Sequence, residues 1–156
     1  MDGRASRASA RAPGDVVLSV RSRPSWVGGF GAWSLLVWGS RIRNIWADDE
    51  LSTSGQVGRT LLALSFVIGG AAMLVLLARA RSRRFTRAEV AGVSAFAVWT
   101  IGVWVVRGSQ IVAGGHSAGF VVVHTALAVV SIGLAAGAWH AARAPRRVSP
   151  ELVGHR

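Results

Sequence analysis

The sequence predicts an all-α fold, an integral membrane four-helix bundle made of two tandem helical hairpins. Hydrophobic residues make up 51% of the 156 residues. They are gathered into four blocks, each close to or above the ~17 to 25 residues that a membrane helix needs. The blocks lack Asp, Glu and Arg except for Glu89 at the edge of the third, and they cover 24–40, 61–78, 88–106 and 119–142. No alternation of apolar and polar residues appears, and a lipid-exposed backbone must satisfy its own hydrogen bonds, which favours helices.

The third block repeats the pattern of the first at an offset of 66 residues. Identical residues coincide at this offset: Phe30 with Phe96, Trp33 with Trp99, Val37 with Val103, Trp38 with Trp104, Arg41 with Arg107 and Ile45 with Ile111. At an offset of 64 the second and fourth blocks align Ile68 with Ile132, Gly69 with Gly133 and Arg79 with Arg143. We interpret this as tandem duplication of one hairpin. The alternative is two unrelated apolar helices in a chain of biased composition, which explains the tryptophan matches poorly.

The net charge of +11 comes from arginine, which supplies all 18 basic residues. Fourteen of the 18 precede the first block, separate the second from the third or follow the fourth. The other four are Arg41, Arg43, Arg59 and Arg107. By the positive-inside rule, this distribution predicts a multi-pass protein of the bacterial inner (cytoplasmic) membrane with both termini cytoplasmic. The expected partners are the lipid bilayer and its anionic head groups, and nucleic acid is not expected.

The order of elements follows from these blocks. Residues 1–24 are rich in Arg, Ala, Ser and Gly and predict a disordered cytoplasmic tail. The first hairpin is expected at 25–84, the second at 85–147, and a second cytoplasmic tail at 148–156. The first span has tryptophans near both ends, Trp26 and Trp38, where indole rings favour the membrane interface. Its helix is expected to continue through Arg41 and Arg43, whose charged heads reach outward.

Two short patterns refine the helices. Thr53 and Gln56 have the spacing of a capping box for the second helix. Gly133 and Gly137 have the small-residue spacing that lets membrane helices approach closely, and Gly28, Gly29 and Gly31 have the same potential in the first helix.

The candidate functional residues form one polar cluster near the outer ends of the helices. It comprises Arg41, Arg43, Asp48, Asp49, Glu50, Arg107, His116 and His124. If the repeat holds, Arg41 and Arg107 are equivalent and face each other across a two-fold axis, with the acids as the nearest counter-charges. Three interpretations stay open: an ordinary interfacial ion-pair network, an anion site, and a divalent-metal site built from carboxylates and a histidine.

His124 is the one ionisable residue well inside a block, and such residues are functional candidates. We predict a neutral His124 hydrogen-bonded to a neighbouring helix. The first three blocks contain no histidine that would complete a bis-histidine haem site, and no block interior holds a carboxylate for proton exchange. No serine lies in a G-x-S-x-G context, and the absence of cysteine excludes thiol nucleophiles and thiolate metal sites. We therefore predict no catalytic residue, cofactor or metal ligand.

Three segments resemble a family of short two-helix membrane proteins from high-GC bacteria. They are FGAWSLLVW at 30–38, RNIWAD at 43–48 and VHTALAVVS at 123–131. In that family the Trp-rich helix comes first and the V-H-x-x-L-x-x-V-S helix second, whereas here they fall on the first and fourth blocks. The resemblance implies membrane location and the pairing of helix types, and it implies no activity. The segment from Trp46 to Gly55 is also weakly similar to the loop of YiaA/YiaB-type inner-membrane proteins.

These observations lead to one functional hypothesis and two alternatives. The first is a non-enzymatic membrane protein whose role is helix-mediated interaction or envelope support, as a homo-oligomer or with another membrane protein. The second is a small transporter or channel component with a path near His124 and the pair Arg41 and Arg107. The third is a metal-binding or enzymatic membrane protein.

Overall fold

The computed structural model describes residues 14–49, 51–80 and 85–144. These residues form four helices in the order α1 (Gly14–Trp46), α2 (Thr53–Arg79), α3 (Arg87–Ala113) and α4 (Ala118–Arg143), with no strand among them. The predicted all-α fold of two consecutive hairpins is confirmed. α1 begins at Gly14, so helix extends into the range that the sequence assigned to the N-terminal tail. Residues 1–13 and the predicted C-terminal tail lie outside the described residues.

The helix starts are set by local hydrogen bonds. Ser52, not Thr53, is the N-cap of α2, since its hydroxyl accepts from the Gly55 amide at 3.2 Å. The predicted Thr53–Gln56 capping box is therefore wrong, and the Gln56 side chain instead donates to the Asp48 carbonyl at 3.3 Å. α3 has the full capping box: Thr86 N donates to the Glu89 carboxylate at 2.7 Å and Glu89 N donates to Thr86 Oγ1 at 3.2 Å.

The helices pack as a ring in which each contacts the next. α1 and α2 are in close contact, as are α3 and α4, and α4 also packs along α1, whereas α2 and α3 touch over a short stretch. Gly31 and Gly70 bring the first pair together: a Cβ on either glycine would lie 2.8 Å from the carbonyl oxygen of the other. Such small residues allow close backbone approach between membrane helices.

Aromatic rings fill the centre of the ring of helices. Trp38 stacks on Phe66 with ring centroids 4.1 Å apart, and Phe30 meets Phe96 across the axis at 4.9 Å. Trp38 and Trp104 meet edge to face at 6.2 Å. The Trp38 ring is buried between the helices, and its depth relative to the membrane interface stays a prediction. Trp26 is 43% exposed, and the rest of its ring packs against α4 at Gly137.

Two tryptophan–serine hydrogen bonds join neighbouring helices in the same way. Trp33 Nε1 in α1 donates to Ser131 Oγ in α4 at 3.0 Å, and Trp99 Nε1 in α3 donates to Ser65 Oγ in α2 at 3.2 Å. The N-cap residues of α2 and α4, Ser52 and Ser117, are 65 positions apart. In the structure α2 and α4 thus start 65 residues apart, whereas the sequence alignment of these two helices used an offset of 64.

The outward surface of the bundle is apolar. Exposed aliphatic side chains lie on every helix, among them Leu36, Ile68, Val112 and Val129. α2, α3 and α4 are each long and apolar enough to cross a membrane, by length and composition. These helices indicate a membrane protein. α1 does not reach the same mean hydropathy because tryptophan, glycine and serine dilute its apolar residues, so its crossing stays a prediction.

Candidate functional site

A cavity of about 450 Å³ opens at the end of the bundle where α1 turns into α2 and α3 into α4. Each helix contributes one basic or titratable side chain to it: Arg41 from α1, Arg59 from α2, Arg107 from α3 and His124 from α4. We call this cavity the arginine pocket. Its remaining lining residues are Val37, Trp38, Asp48, Trp104, Gln110, Ile111, His116, Phe120 and Leu127.

The three arginines are close enough to repel one another. Arg107 and Arg59 both act electrostatically on Arg41, and Arg59 also acts on Arg107. Asp48 is the single carboxylate among the described residues that line the pocket. Three guanidinium groups and one carboxylate leave the lining with an excess positive charge, which an anion would neutralise.

Trp104 lines the pocket, but its indole nitrogen lies in the protein interior. Its side chain is only 6% exposed, and its Nε1 is buried without a hydrogen-bond partner among the described residues. A buried donor left unpaired costs about 1 to 3 kcal/mol. Trp38 lines the same wall and closes the cavity toward the aromatic core.

The rings of the two histidines both pack against the ring of Phe120. Its ring centroid lies 4.5 Å from that of His116 and 3.8 Å from that of His124. His124 Nδ1 lies 2.9 Å from the Phe120 carbonyl oxygen, one turn earlier in α4. The predicted bond to a neighbouring helix is therefore wrong, because this bond stays within α4. Since a carbonyl oxygen only accepts, Nδ1 must carry the proton, which leaves Nε2 for other contacts.

The structure brings together five of the eight residues proposed from the sequence. These are Arg41, Asp48, Arg107, His116 and His124. Arg43 and Asp49 are exposed and do not line the pocket, and their part in the outer-surface cluster stays a prediction. Glu50 lies outside the described residues.

Sequence reasoning missed Arg59 and Gln110. Arg59 was one of the four arginines on the outer side, and its position in the second turn of α2 was the available signal. Gln110 follows Arg107 by three residues, so both lie on one face of α3.

As for a metal centre, no group of three His, Asp or Glu side chains converges within residues 14–49, 51–80 and 85–144.

No family model, curated protein or solved structure matches this chain. Its relationship to the two-helix family and to YiaA/YiaB-type proteins stays a prediction. The functional argument accordingly depends on the geometry of the site.

Proposed function

We propose that this chain is a non-enzymatic integral membrane protein that binds an anionic group in the arginine pocket. The observation that carries the proposal is the convergence of Arg41, Arg59 and Arg107 from three helices on one cavity. Guanidinium groups bind phosphate and carboxylate through paired, charge-assisted hydrogen bonds. The sequence predicted an interaction role without naming a ligand, and the pocket leads us to propose that the ligand is anionic.

We further propose that the chain arose by duplication of a hairpin and lies in a bacterial inner membrane with both termini cytoplasmic. Residues 66 positions apart meet in the core, as Phe30 and Phe96 do, and Arg41 and Arg107 line one cavity. A two-fold arrangement of two similar hairpins explains both. The arginine distribution supports the orientation, which places the pocket on the extracytoplasmic side.

A transport path through the bundle has less support. Thr100, which would line such a path, donates instead to the Phe96 carbonyl at 2.9 Å within its own helix. The fully buried rings of Phe30 and Phe66 occupy the centre of the bundle below the pocket. The geometry therefore favours a binding site that ends at the aromatic core.

Anion binding is tested by thermal unfolding of the purified protein in neutral detergent with added inorganic phosphate. A bound ligand raises the free energy of unfolding by about 2.7 kcal/mol at one hundred times its Kd. We expect phosphate to raise the Tm of the wild type and to have little effect on the Arg41→Gln/Arg107→Gln variant. The variant is expected to fold, because the change removes mutual repulsion between cations.

Arg43→Gln is the matched control, since Arg43 is exposed on α1 two residues from Arg41 and lies outside the pocket. It should respond to phosphate as the wild type does. Sodium chloride at equal ionic strength separates binding from charge screening. Equal phosphate shifts in all three proteins would refute the anion site.

A further inference from the structure

The gap between α2 and α3 forms a second and larger cavity next to the arginine pocket. It measures about 900 Å³ and opens to the outside of the bundle, and we call it the α2–α3 groove. α2 lines it with Gly58, Arg59 and Leu62, and α3 lines it with Ser94, Ala95, Val98, Trp99, Gly102, Val103, Val106, Arg107 and Gln110. In a membrane, a lateral opening of this kind faces lipid.

The groove is long enough for one acyl chain and a head group. Its α3 wall runs from Ser94 to Gln110, which is about 24 Å at 1.5 Å per residue. The hydrocarbon core of a bilayer is about 30 Å thick, so an acyl chain in one leaflet spans about 15 Å. One chain therefore fits along the groove with room for a head group at its end.

The groove is apolar over most of its length and polar at its loop end. Most of the wall is aliphatic, aromatic or glycine, whereas Arg59, Arg107 and Gln110 lie together at the loop end. The same three residues also line the arginine pocket, so groove and pocket adjoin there. An amphiphile with one anionic head and an apolar tail is complementary to this arrangement, and a small soluble anion would leave the apolar wall uncovered.

We propose that the α2–α3 groove binds an anionic phospholipid, with its phosphate held by Arg59 and Arg107 and one acyl chain lying along α3. This inference rests on the proposed anion site and names the class of ligand that occupies it. Guanidinium pairs match phosphate oxygens in geometry and charge. Gly58 and Gly102 have nothing within 4 Å of the position of a Cβ, and this leaves the space for the chain.

The test measures the lipid that the full-length protein retains, by native mass spectrometry after extraction from vesicles of equal phosphatidylglycerol and phosphatidylcholine. We expect the wild type to retain phosphatidylglycerol preferentially. Gly102→Leu fills the groove and Arg59→Gln removes a head-group contact, and each should reduce the retained phosphatidylglycerol by about tenfold. Gly102 has open space around it, so a leucine there is accommodated in the fold.

Two variants are matched controls. Gly133→Leu places the same side chain at an exposed position of α4 that also has nothing within 4 Å, and Arg43→Gln removes an arginine outside both cavities. Both should retain phosphatidylglycerol as the wild type does. Equal retention by Gly102→Leu and the wild type would overturn the lipid proposal. Retention of both lipids in equal amounts by the wild type would do the same.

Two further measurements distinguish this inference from the anion site and from self-association. Gly102→Leu should still bind inorganic phosphate, because the arginine pocket is unchanged. If the wild type binds phosphate but shows no preference for phosphatidylglycerol, the lipid proposal is rejected and the anion site is retained. If the wild type shows neither phosphate binding nor lipid preference, both proposals are rejected. If single cysteines at position 102 crosslink between chains in native membranes, the groove holds a second copy, and the lipid proposal is overturned.

Discussion

The two contacts that join the hairpins correspond in topology but differ in closeness. α4 packs along α1, and this contact, the α1–α4 seam, is closed by Trp26 against Gly137 and by the Trp33–Ser131 hydrogen bond. α2 and α3 share the corresponding Trp99–Ser65 bond, yet the helices separate and leave the α2–α3 groove. The same kind of tryptophan–serine hydrogen bond therefore occurs in one closely packed and one open helix–helix contact.

One difference in side-chain size lies where the second helix of each hairpin meets the other hairpin. α4 buries small residues at its inner face, namely Ser131, Ala135 and Ala138. Sixty-five positions before Ser131, α2 has Phe66, whose ring packs against Phe96 and Trp99 of α3, whereas Gly70 and Met73 pack against α1. Small residues let helices approach, and bulky ones keep them apart. We predict that Phe66 holds α3 away and thereby creates the space in which we place the lipid.

The largest effect is expected from Phe66→Ala. The side chain is fully buried and contacts Trp38, Phe96 and Trp99. Its removal should lower the free energy of unfolding by about 3 to 5 kcal/mol, as measured by titration with sodium dodecyl sulfate in mixed micelles. Ile68→Ala changes an exposed position in the same helix and should be near neutral.

The same variant tests whether Phe66 sets the width of the groove. Spin labels at the exposed positions Val57 in α2 and Val112 in α3 report the separation of the two helices. We expect the distance to shorten in Phe66→Ala. An unchanged or longer distance would mean that Phe66 is not the cause of the separation.

A smaller effect on stability is expected when a glycine is replaced by leucine in the α1–α4 seam and in the α2–α3 groove, because the free space around the two glycines differs. A Cβ at Gly137 would collide with the indole of Trp26, whereas Gly102 in the groove has nothing within 4 Å. Gly137→Leu should therefore destabilise the protein by about 1 to 3 kcal/mol through overpacking, and Gly102→Leu should leave the free energy of unfolding nearly unchanged. Similar costs for the two leucines, measured in the same titration, would show that the contacts are equally tight.

Sequence reasoning predicted the parts of this fold that depend on long patterns. The four apolar blocks located α1 to α4, and the repeated pattern placed Arg41 and Arg107 opposite each other, where both line one cavity. It did not predict the start of α2 at Ser52, because Ser52 and Thr53 are adjacent candidates for the same cap. It also could not predict the groove, since the separation of α2 and α3 depends on how their side chains pack, which no local pattern reports.

The candidate site was predicted in part for a similar reason. Arg41 and Arg107 followed from the repeated pattern, and both line the pocket. Arg43 lies two residues from Arg41, and on a helix that spacing turns a side chain by about 200°, which leaves it exposed. Arg59 belongs to a different helix and comes to the pocket through the packing of α2, which no local pattern reports.

The smallest predicted effect is a difference in the free energy of unfolding between variants that each lack one of the two tryptophan–serine hydrogen bonds. Ser131 is buried and its hydroxyl bonds to Trp33, so Trp33→Phe leaves a buried hydroxyl without its partner. Ser65 also donates to the Leu62 carbonyl at 2.7 Å, so in Trp99→Phe its hydroxyl keeps that bond. We expect a loss of about 1 kcal/mol for Trp33→Phe and less for Trp99→Phe, in the range of hydrogen bonds between membrane helices.

A double-mutant cycle identifies the cause of that difference. Adding Ser131→Ala to Trp33→Phe removes the unpaired hydroxyl and should recover part of the lost stability, whereas adding Ser65→Ala to Trp99→Phe should recover none. Recovery in both cycles would mean that the two bonds contribute alike. The greater closeness of the α1–α4 seam would then depend on Ser131, Ala135 and Ala138 as small residues alone, with no added contribution from the hydrogen bond.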